Sequence, residues 1–428
     1  MGKSLKIVLI NKSDSIGGAA IVTRRLMEAL RNEGHDARML VAEKLSDSPY
    51  VEKAASSFTV FFKFALERLR ILFSNGFNRE TLFKIDTGET GLALWKHPLV
   101  KEADAVLLNW VNQGMLSLKG ADRLLSLGKP VVWTMHDMWC MTGVCHHAAN
   151  CKHYEKECGD CPLLGNKKSR GDISSKTWKR KKNLYDNTGS LTFVAVSNWL
   201  AGKAGDSSLL KKKKPVVIHN AFDLPGPDSN YVKEQKDEKI RILFGAARLD
   251  DPIKGIDVLK EMTAVLKEKY PDISERIEID LFGGVKNETA LDGFYLPVVR
   301  LGVLKGESEL AQAYISADIV VSASSYETLP GTLVEAQAYG CIPVAFARGG
   351  QKDIVDHLHT GYLAEYASDI SIAADNLARG VAWAAECLEN TMKHSEMIKE
   401  MARNVARKFS YHEIANKYLS LIEKWPAT

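Results

Sequence analysis

The feature that most constrains this chain is an alternation that runs from end to end. Short, almost wholly apolar runs rich in β-branched residues alternate with longer stretches of helical periodicity. In the first half the runs are Leu5–Ile10, Asp36–Val41, Ala105–Asn109, Pro130–Thr134, Leu191–Val196 and Pro215–Ile218. In the second they are Ile240–Phe244, Ile277–Phe282, Val298–Leu301, Asp318–Ser322, Ile342–Phe346 and Gly361–Ala364. A strand that is apolar along its whole length must be covered on both faces, as in a parallel sheet between two helix layers. Strand–helix alternation predicts right-handed βαβ units. The fold class expected is α/β, with two Rossmann-like parallel sheets.

A chain of 428 residues exceeds the ~100–200 residues of a usual domain, so two domains are expected. The halves meet near Phe222, where Asp223-Leu224-Pro225-Gly226-Pro227-Asp228-Ser229-Asn230 gathers turn formers and a charged stretch follows to Lys239. The division expected is residues 1–222, a linker 223–239, a second domain 240–409 and a final helix within 410–428. That helix carries Ile414, Tyr418, Leu421 and Ile422 at helical spacing and is expected to pack on a domain surface. Open parallel sheets bind ligands at the carboxyl ends of their strands, so two such sheets facing each other make a cleft site.

Composition excludes some classes. The net charge is only +4, which does not suit a dedicated nucleic-acid binder. Basic residues do cluster between Lys167 and Lys182 and again over Lys211–Lys214, either as solvated faces or as attraction to an anionic surface or a phosphorylated acceptor. The N-terminal residues lead straight into a strand without a secretory cleavage pattern, and no apolar stretch approaches the ~20 residues that span a bilayer. A cytoplasmic protein is expected, with the inner face of the cell membrane as a further location. Phe58, Phe61, Phe62, Ala65, Leu66, Leu69, Leu72 and Phe73 form a stripe at helical spacing. Its usual meaning is a helix facing the core; the alternative is peripheral membrane association.

The most informative segment is Ser324-Ser325-Tyr326-Glu327-Thr328-Leu329-Pro330-Gly331-Thr332-Leu333-Val334-Glu335-Ala336. It reads as the end of a strand, a loop and the start of a helix. A helix N-terminus there favours phosphate, and Gly331 lets backbone approach closely. Glu335, one turn into the helix, can accept both hydroxyls of a ribose, and Glu327 lies nearer a transferred sugar. The plainer alternative is an acidic loop and a glutamate suited to the helix dipole. A second loop, Gly245 to Gly255, carries Arg248 and Lys254 at the end of a strand, where two cations suit a diphosphate and the charge growing on a departing one. A third turn, Leu301-Gly302-Val303-Leu304, offers backbone groups to a base.

These motifs carry a resemblance. Arg-x5-Lys-Gly, Glu-x7-Glu, Gly340-Cys341-Ile342-Pro343-Val344 and Gly349-Gly350 resemble glycosyltransferase family 4 in residue type and order. Gly17-Gly18-Ala19, Val196-Ser197-Asn198-Trp199 and Ile218-His219-Asn220-Ala221 extend the likeness through the first half. The resemblance implies a GT-B fold and metal-independent transfer of a hexose-type sugar, with retention at the anomeric carbon. The donor implied is a UDP- or GDP-sugar, and the acceptor a glycan or lipid-linked saccharide of surface polysaccharide synthesis. By the same resemblance Arg248 and Lys254 bind the diphosphate, Glu327 the sugar and Glu335 the ribose. Leu329, Gly331 and Thr332 shape the donor loop, and Gly17 and Gly18 approach donor phosphate or acceptor. Two departures stand out: Ala221 where the family commonly has glycine, and Thr328-Leu329-Pro330 where Gly-aromatic-Gly is commoner. The second bears on which sugar fits. A nucleotide-sugar epimerase and a catalytically silent nucleotide-sugar-binding protein remain as alternatives.

His136, in Thr134-Met135-His136-Asp137-Met138-Trp139, ends a strand of the first half. The resemblance places such a histidine near the acceptor and the transferred sugar. Beyond it Cys145, Cys151, Cys158 and Cys161 follow a C-x5-C-x6-C-x2-C spacing. Thiolates so spaced suit a structural zinc; the alternatives are unliganded thiols or two disulfides. Some members of the family pair a His-Asp-x-Trp segment with such cysteines.

Overall fold

The computed structural model describes residues 4–225 and 239–425. Residues 226–238 of the expected linker thus lie outside the described residues. The chain divides into two compact units: one runs to Phe222 and resumes at Tyr411, and the other is Asp223–Ser410.

The first unit is built on seven parallel strands: β1 (Lys6–Ser13), β2 (Asp36–Glu43), β3 (Val51–Lys53), β4 (Ala105–Leu108), β5 (Val131–Met135), β6 (Leu191–Ala195) and β7 (Val216–Val217), in the order β3-β2-β1-β4-β5-β6-β7. The second holds six parallel strands: β8 (Ile240–Arg248), β9 (Ile277–Gly284), β10 (Val298–Gly302), β11 (Ile319–Ser322), β12 (Ile342–Phe346) and β13 (Tyr362–Ala364), in the order β10-β9-β8-β11-β12-β13. Every expected strand is present, and β3 is an addition. Central strands are sealed on both faces, as their composition demands: Ile7, Val8, Leu9 and Ile10 are all buried, as are Ile342, Val344 and Phe346.

Helix starts follow local chemistry. Ser56, Ser117, Ser197 and Asp369 each accept a backbone N–H of the first turn of the helix they precede. Helix Tyr411–Glu423 packs into the core of the first unit, burying Ile414, Ala415, Tyr418, Leu419 and Ile422 among residues of β1, β2 and helix Gly18–Asn32. The hydroxyls of Tyr418 and Thr134 are 2.8 Å apart in a buried hydrogen bond.

Helix Ser57–Ser74 departs from its commoner sequence reading. Its buried face carries Glu67 and Arg68 beside Val60 and Ile71, and its aromatic stripe faces outward. Charged side chains take the inner face because that face meets partners for them, described below.

Two substitutions measure how firmly the last helix is seated. Tyr418→Phe removes one buried hydrogen bond and should cost about 1–2 kcal/mol. Tyr418→Ala also empties a ring-sized space and should cost about 3–5 kcal/mol. Denaturant unfolding of the full chain reads both, and equal losses would mean that the hydroxyl pair, not packing of the ring, seats the helix.

Candidate active site

In the second unit the strand order reverses between β8 and β11, so the loops leaving their carboxyl ends diverge and leave room for a ligand. The expected donor residues stand on these loops. β8 ends at Arg248, and a single 3-10 turn, Pro252–Lys254, follows. Gly255 then adopts φ 76°, and a Cβ on it would lie 2.2 Å from the Ala323 carbonyl oxygen. Only glycine lets this turn press against the exit of β11. Ser325 N–H donates to the Ile253 carbonyl at 2.9 Å. As a result Lys254 Nζ donates to Glu327 Oε1 at 2.5 Å.

The exit of β12 holds the same loop from its other side. Gly350 N–H donates to the Glu327 carbonyl at 3.0 Å. A Cβ at Gly350 would lie 2.0 Å from the Thr328 carbonyl oxygen. Leu329 is buried beneath the loop, and helix Gly331–Ala338 begins at once with no side-chain cap on its first amides. Gly331 and Thr332 are partly exposed at this start. One turn further, Tyr314 Oη donates to Glu335 Oε2 at 3.0 Å. The Tyr314 ring is itself fixed by stacking on Tyr339, with centroids 5.8 Å apart and planes inclined by 3°.

Not every expected residue converges. The guanidinium of Arg248 is drawn to the carboxylates of its own turn, 3.5 Å from Asp250 and 3.3 Å from Asp251. Gly302 ends the edge strand β10, two strands away from β8, with φ 71° and an exposed backbone.

The first unit reverses its strand order between β1 and β4. Gly17, with φ 86°, precedes helix Gly18–Asn32, whose start also lacks a side-chain cap; Gly17 and Gly18 are exposed. The loop before them is anchored by Asp14, which sequence reasoning missed. Burial would raise its carboxyl, but the Ser46 hydroxyl and the Leu45 and Ser46 amides hold it below the usual range.

His136 stands where β5 ends. Its Nε2 lies 3.0 Å from Asn109 Oδ1, at the end of neighbouring β4. The pair opens on a small cavity also lined by Thr134, His219, Asn220 and Tyr418. Surrounding protein lowers the His136 pKa to about 4 through desolvation, which Asp137 only partly opposes. The ring is therefore neutral near pH 7. With Nε2–H donating to Asn109, its Nδ1 is an acceptor.

Asp137 is the hub of this segment. Its carboxylate accepts from Trp110 Nε1 at 2.9 Å and from the Trp139 amide at 2.8 Å, and lies 2.7 Å from His146 Nδ1. Burial opposes its charge, yet the His146 ring and the Trp139 amide hold it down at about 2. Buried Lys181, from one of the basic clusters, donates to the Trp139 carbonyl at 2.5 Å and lies 3.4 Å from the centroid of the Trp139 ring. Asn109 and His146 were not singled out from sequence, and Lys181 figured there only as one of a basic run; Asn109 carried a signal in its place at the end of an apolar run.

The cysteine cluster corrects an expectation. Cys145, Cys151, Cys158 and Cys161 line one pocket together with His153 and Tyr154, and none is in a disulfide. Among the described residues, however, no three His, Cys, Asp or Glu side chains form a group that could hold a metal ion. The structure therefore does not support the expected zinc site. The thiols behave instead as small packing groups: Cys161 joins Ile71, Ile85, Val144 and Leu164 in an apolar cluster. Burial pushes the thiols of Cys145, Cys158 and Cys161 up to about 12, so they stay neutral. The Gly143 amide donates to Cys158 Sγ at 3.1 Å.

Two parallel α/β sheets with ligand-type loops at the carboxyl ends of both define the GT-B class. Comparison with known proteins agrees. Residues 228–405 match the family model described as Glycosyl transferases group 1. The Escherichia coli protein WcaC, named for colanic acid biosynthesis glycosyl transfer, is 27% identical over 312 residues, which is 69% of each chain. Among solved structures, a glycosyltransferase from Rickettsia africae aligns over 99% of both chains with a TM-score of 0.59 at 14% identity. Anabaena HepE, solved with UDP and glucose, aligns over 98% of this chain and 100% of its own with a TM-score of 0.57 at 16% identity. Together these similarities support a glycosyltransferase of the GT-B fold.

The His136 environment has a measurable signature. A histidine held at about 4 when folded and near 6.5 when unfolded binds its proton less readily in the native state. Its contribution to stability is intact above about pH 6.5 and is lost as pH falls toward 4. Histidine-selective NMR should show one ring that stays neutral down to about pH 5 and disappears in His136→Gln. The variant should also flatten the acid limb of the stability curve. A ring titrating near 6.5 in its place would contradict the desolvated setting.

Proposed function

We propose that the protein transfers a hexose-type sugar from a nucleoside-diphosphate sugar to a hydroxyl of a glycan or lipid-linked saccharide, with retention at the anomeric carbon. The process served is surface polysaccharide synthesis. The observation that carries this reading is the packing of Lys254 and Glu327 in front of an uncapped helix start, one turn from the oriented Glu335. A cation, a run of backbone amides and a ribose-type acceptor stand in the order that a sugar diphosphate presents its parts. The colanic acid relative supports the process, and the UDP and glucose bound to HepE make UDP-glucose the first donor to test.

In this reading the donor diphosphate replaces carboxylates as the partner of the two cations. Lys254 exchanges Glu327 for phosphate, and Arg248 exchanges Asp250 and Asp251. Glu327, released from Lys254, accepts hydroxyls of the transferred sugar. The bond from the anomeric carbon to the phosphate oxygen breaks as the acceptor oxygen bonds to that carbon on the same face. The acceptor proton passes to the leaving phosphate, whose new charge Arg248 and Lys254 stabilise without an added metal ion. Gly17 and Gly18 bring the exposed start of their helix to phosphate or acceptor, Gly302 offers backbone to the base, and neutral His136 accepts from a substrate hydroxyl at Nδ1. An epimerase would need carboxylates for proton chemistry in the first unit, and there Asp137, Glu67 and Asp86 are engaged in internal hydrogen bonds.

Arg248→Ala and Lys254→Ala should each lower kcat on the order of 10²-fold with a smaller rise in donor KM, because the charge they meet grows as the bond breaks. The Lys254–Glu327 pair is partly exposed, so Lys254→Ala should change folding stability by no more than about 1 kcal/mol. NMR of the product should show the donor's anomeric configuration preserved. An inverted product would overturn the retaining mechanism, and a rise in KM alone would reduce both residues to ground-state anchors.

Glu335→Ala should weaken binding of the nucleotide sugar by about 1.5–3 kcal/mol, the cost of removing a charged hydrogen-bond partner. Titration calorimetry on the folded variant reads this directly. Unchanged affinity would remove the ribose role.

A further inference from the structure

Helix Ser57–Ser74 is amphipathic in the inverse sense. Inside, Glu67 accepts from the backbone and hydroxyl of both Thr87 and Thr90. Arg68 donates to the Leu82 carbonyl and, at 3.0 Å, to Asp86. Outside, Phe58, Phe61, Phe62, Leu69 and Phe73 are 78%, 66%, 53%, 49% and 57% exposed. Phe77, 60% exposed, extends the face by packing edge-on against Phe73, with centroids 5.1 Å apart. A contiguous aromatic face of this kind, rigidly pinned from behind, is not what an unassociated surface keeps.

The charges around it are mainly positive. Arg70 and Arg180 share the single carboxylate of Glu89. Gly76 is adjacent to Lys167, whose neighbour Lys168 is also exposed, and Arg79 and Lys84 flank the stripe's end. These cations outnumber Glu80 and Glu89. A second copy of the chain docking by the same face would set these cations against their equals, whereas an anionic lipid surface neutralises them and takes up the rings. No helix among the described residues is long and apolar enough to cross a membrane, so the contact is with the interface.

The position matters as well. Asp86, the inner partner of Arg68, accepts from the Gln113 amide at 2.6 Å, and its carbonyl accepts from Trp139 Nε1 at 2.8 Å. Gln113 follows β4 and Trp139 follows β5. The helix is thereby fixed to the strand ends that carry Asn109 and His136.

We infer that helix 57–74 and its flanking cations form a docking surface for an anionic lipid bilayer. It holds the acceptor-side edge of the first unit against the membrane. The identity of the acceptor as a lipid-linked saccharide rests on the transferase reading, whereas the docking itself does not.

Co-sedimentation of the full chain with vesicles tests this. Wild-type protein should partition at least about tenfold more strongly into phosphatidylcholine vesicles containing phosphatidylglycerol than into phosphatidylcholine alone, and added salt should weaken the binding. The double variant Phe61→Ser, Phe62→Ser should lose about tenfold of that partition. Its thermal unfolding and its turnover of a water-soluble acceptor should stay unchanged. Wild-type protein that remains in the supernatant with anionic vesicles, or a double variant that binds as well as wild type, overturns the inference. So does a concentration-dependent dimer in sedimentation velocity that the variant abolishes. Vesicle binding without sugar transfer would instead leave the docking surface standing and count against the transferase reading.

Discussion

The charged loop at the strand exits of the second unit depends on backbone meeting backbone where no side chain can intervene. The Ala323 carbonyl occupies the place of a Cβ on Gly255, and the Thr328 carbonyl occupies that of a Cβ on Gly350. These two contacts draw the exits of β8, β11 and β12 onto one loop. Lys254, Glu327 and the start of helix Gly331–Ala338 then have little freedom to separate. Strand order supplies the opening, because the chain turns in opposite directions on either side of β8. Sheet topology thus decides where a ligand can sit, and the glycines decide how tightly the charged loop is held there.

The first unit reaches rigidity by another route. There the strand ends are linked through buried polar groups, each satisfied by several partners. Asp137 gathers Trp110, Trp139 and His146; Asp86 gathers Arg68, Gly88 and Gln113. A buried carboxylate left without such partners would cost several kcal/mol, roughly the size of a domain's whole stability margin. Their satisfaction fixes the loops after β4 and β5, and hence His136. It also explains why helix Ser57–Ser74 can turn charged residues inward: the inner face is where the hydrogen-bonding partners are.

Periodicity and strand-end logic made much of this legible. Apolar runs located the strands because a central parallel strand has no other composition available to it. β3 escaped because an edge strand carrying Glu52 and Lys53 shows no such run. Arg248, Glu327 and His136 could be singled out because each stands at or a few residues past the carboxyl end of a strand. What sequence could not supply was direction and distance. The stripe on helix Ser57–Ser74 was visible as a period, but a period does not say which face turns inward; that is decided by Thr87, Thr90 and Asp86, far along the chain. Cysteine spacing likewise suggested convergence on a metal. Spacing along the chain does not fix whether thiols meet at one point or pack side by side, and here they share a pocket with apolar neighbours.

The charges of this loop and its neighbour are self-paired in a way that bears on how a ligand would be received. Lys254 is held by Glu327, and Arg248 by Asp250 and Asp251. An unpaired cation in a partly desolvated pocket would be costly, and these carboxylates remove that cost. They also set a threshold: an anion must offer more than one carboxylate to displace them. A diphosphate would, since it brings more charge and several acceptor oxygens, and on the proposed reading it would lie against helix amides that carry no side-chain cap. A monoanionic ligand gains little by the same exchange. On the proposed reading, the self-paired arrangement would favour dianionic or more highly charged ligands through the competition itself, and such a ligand would free Glu327.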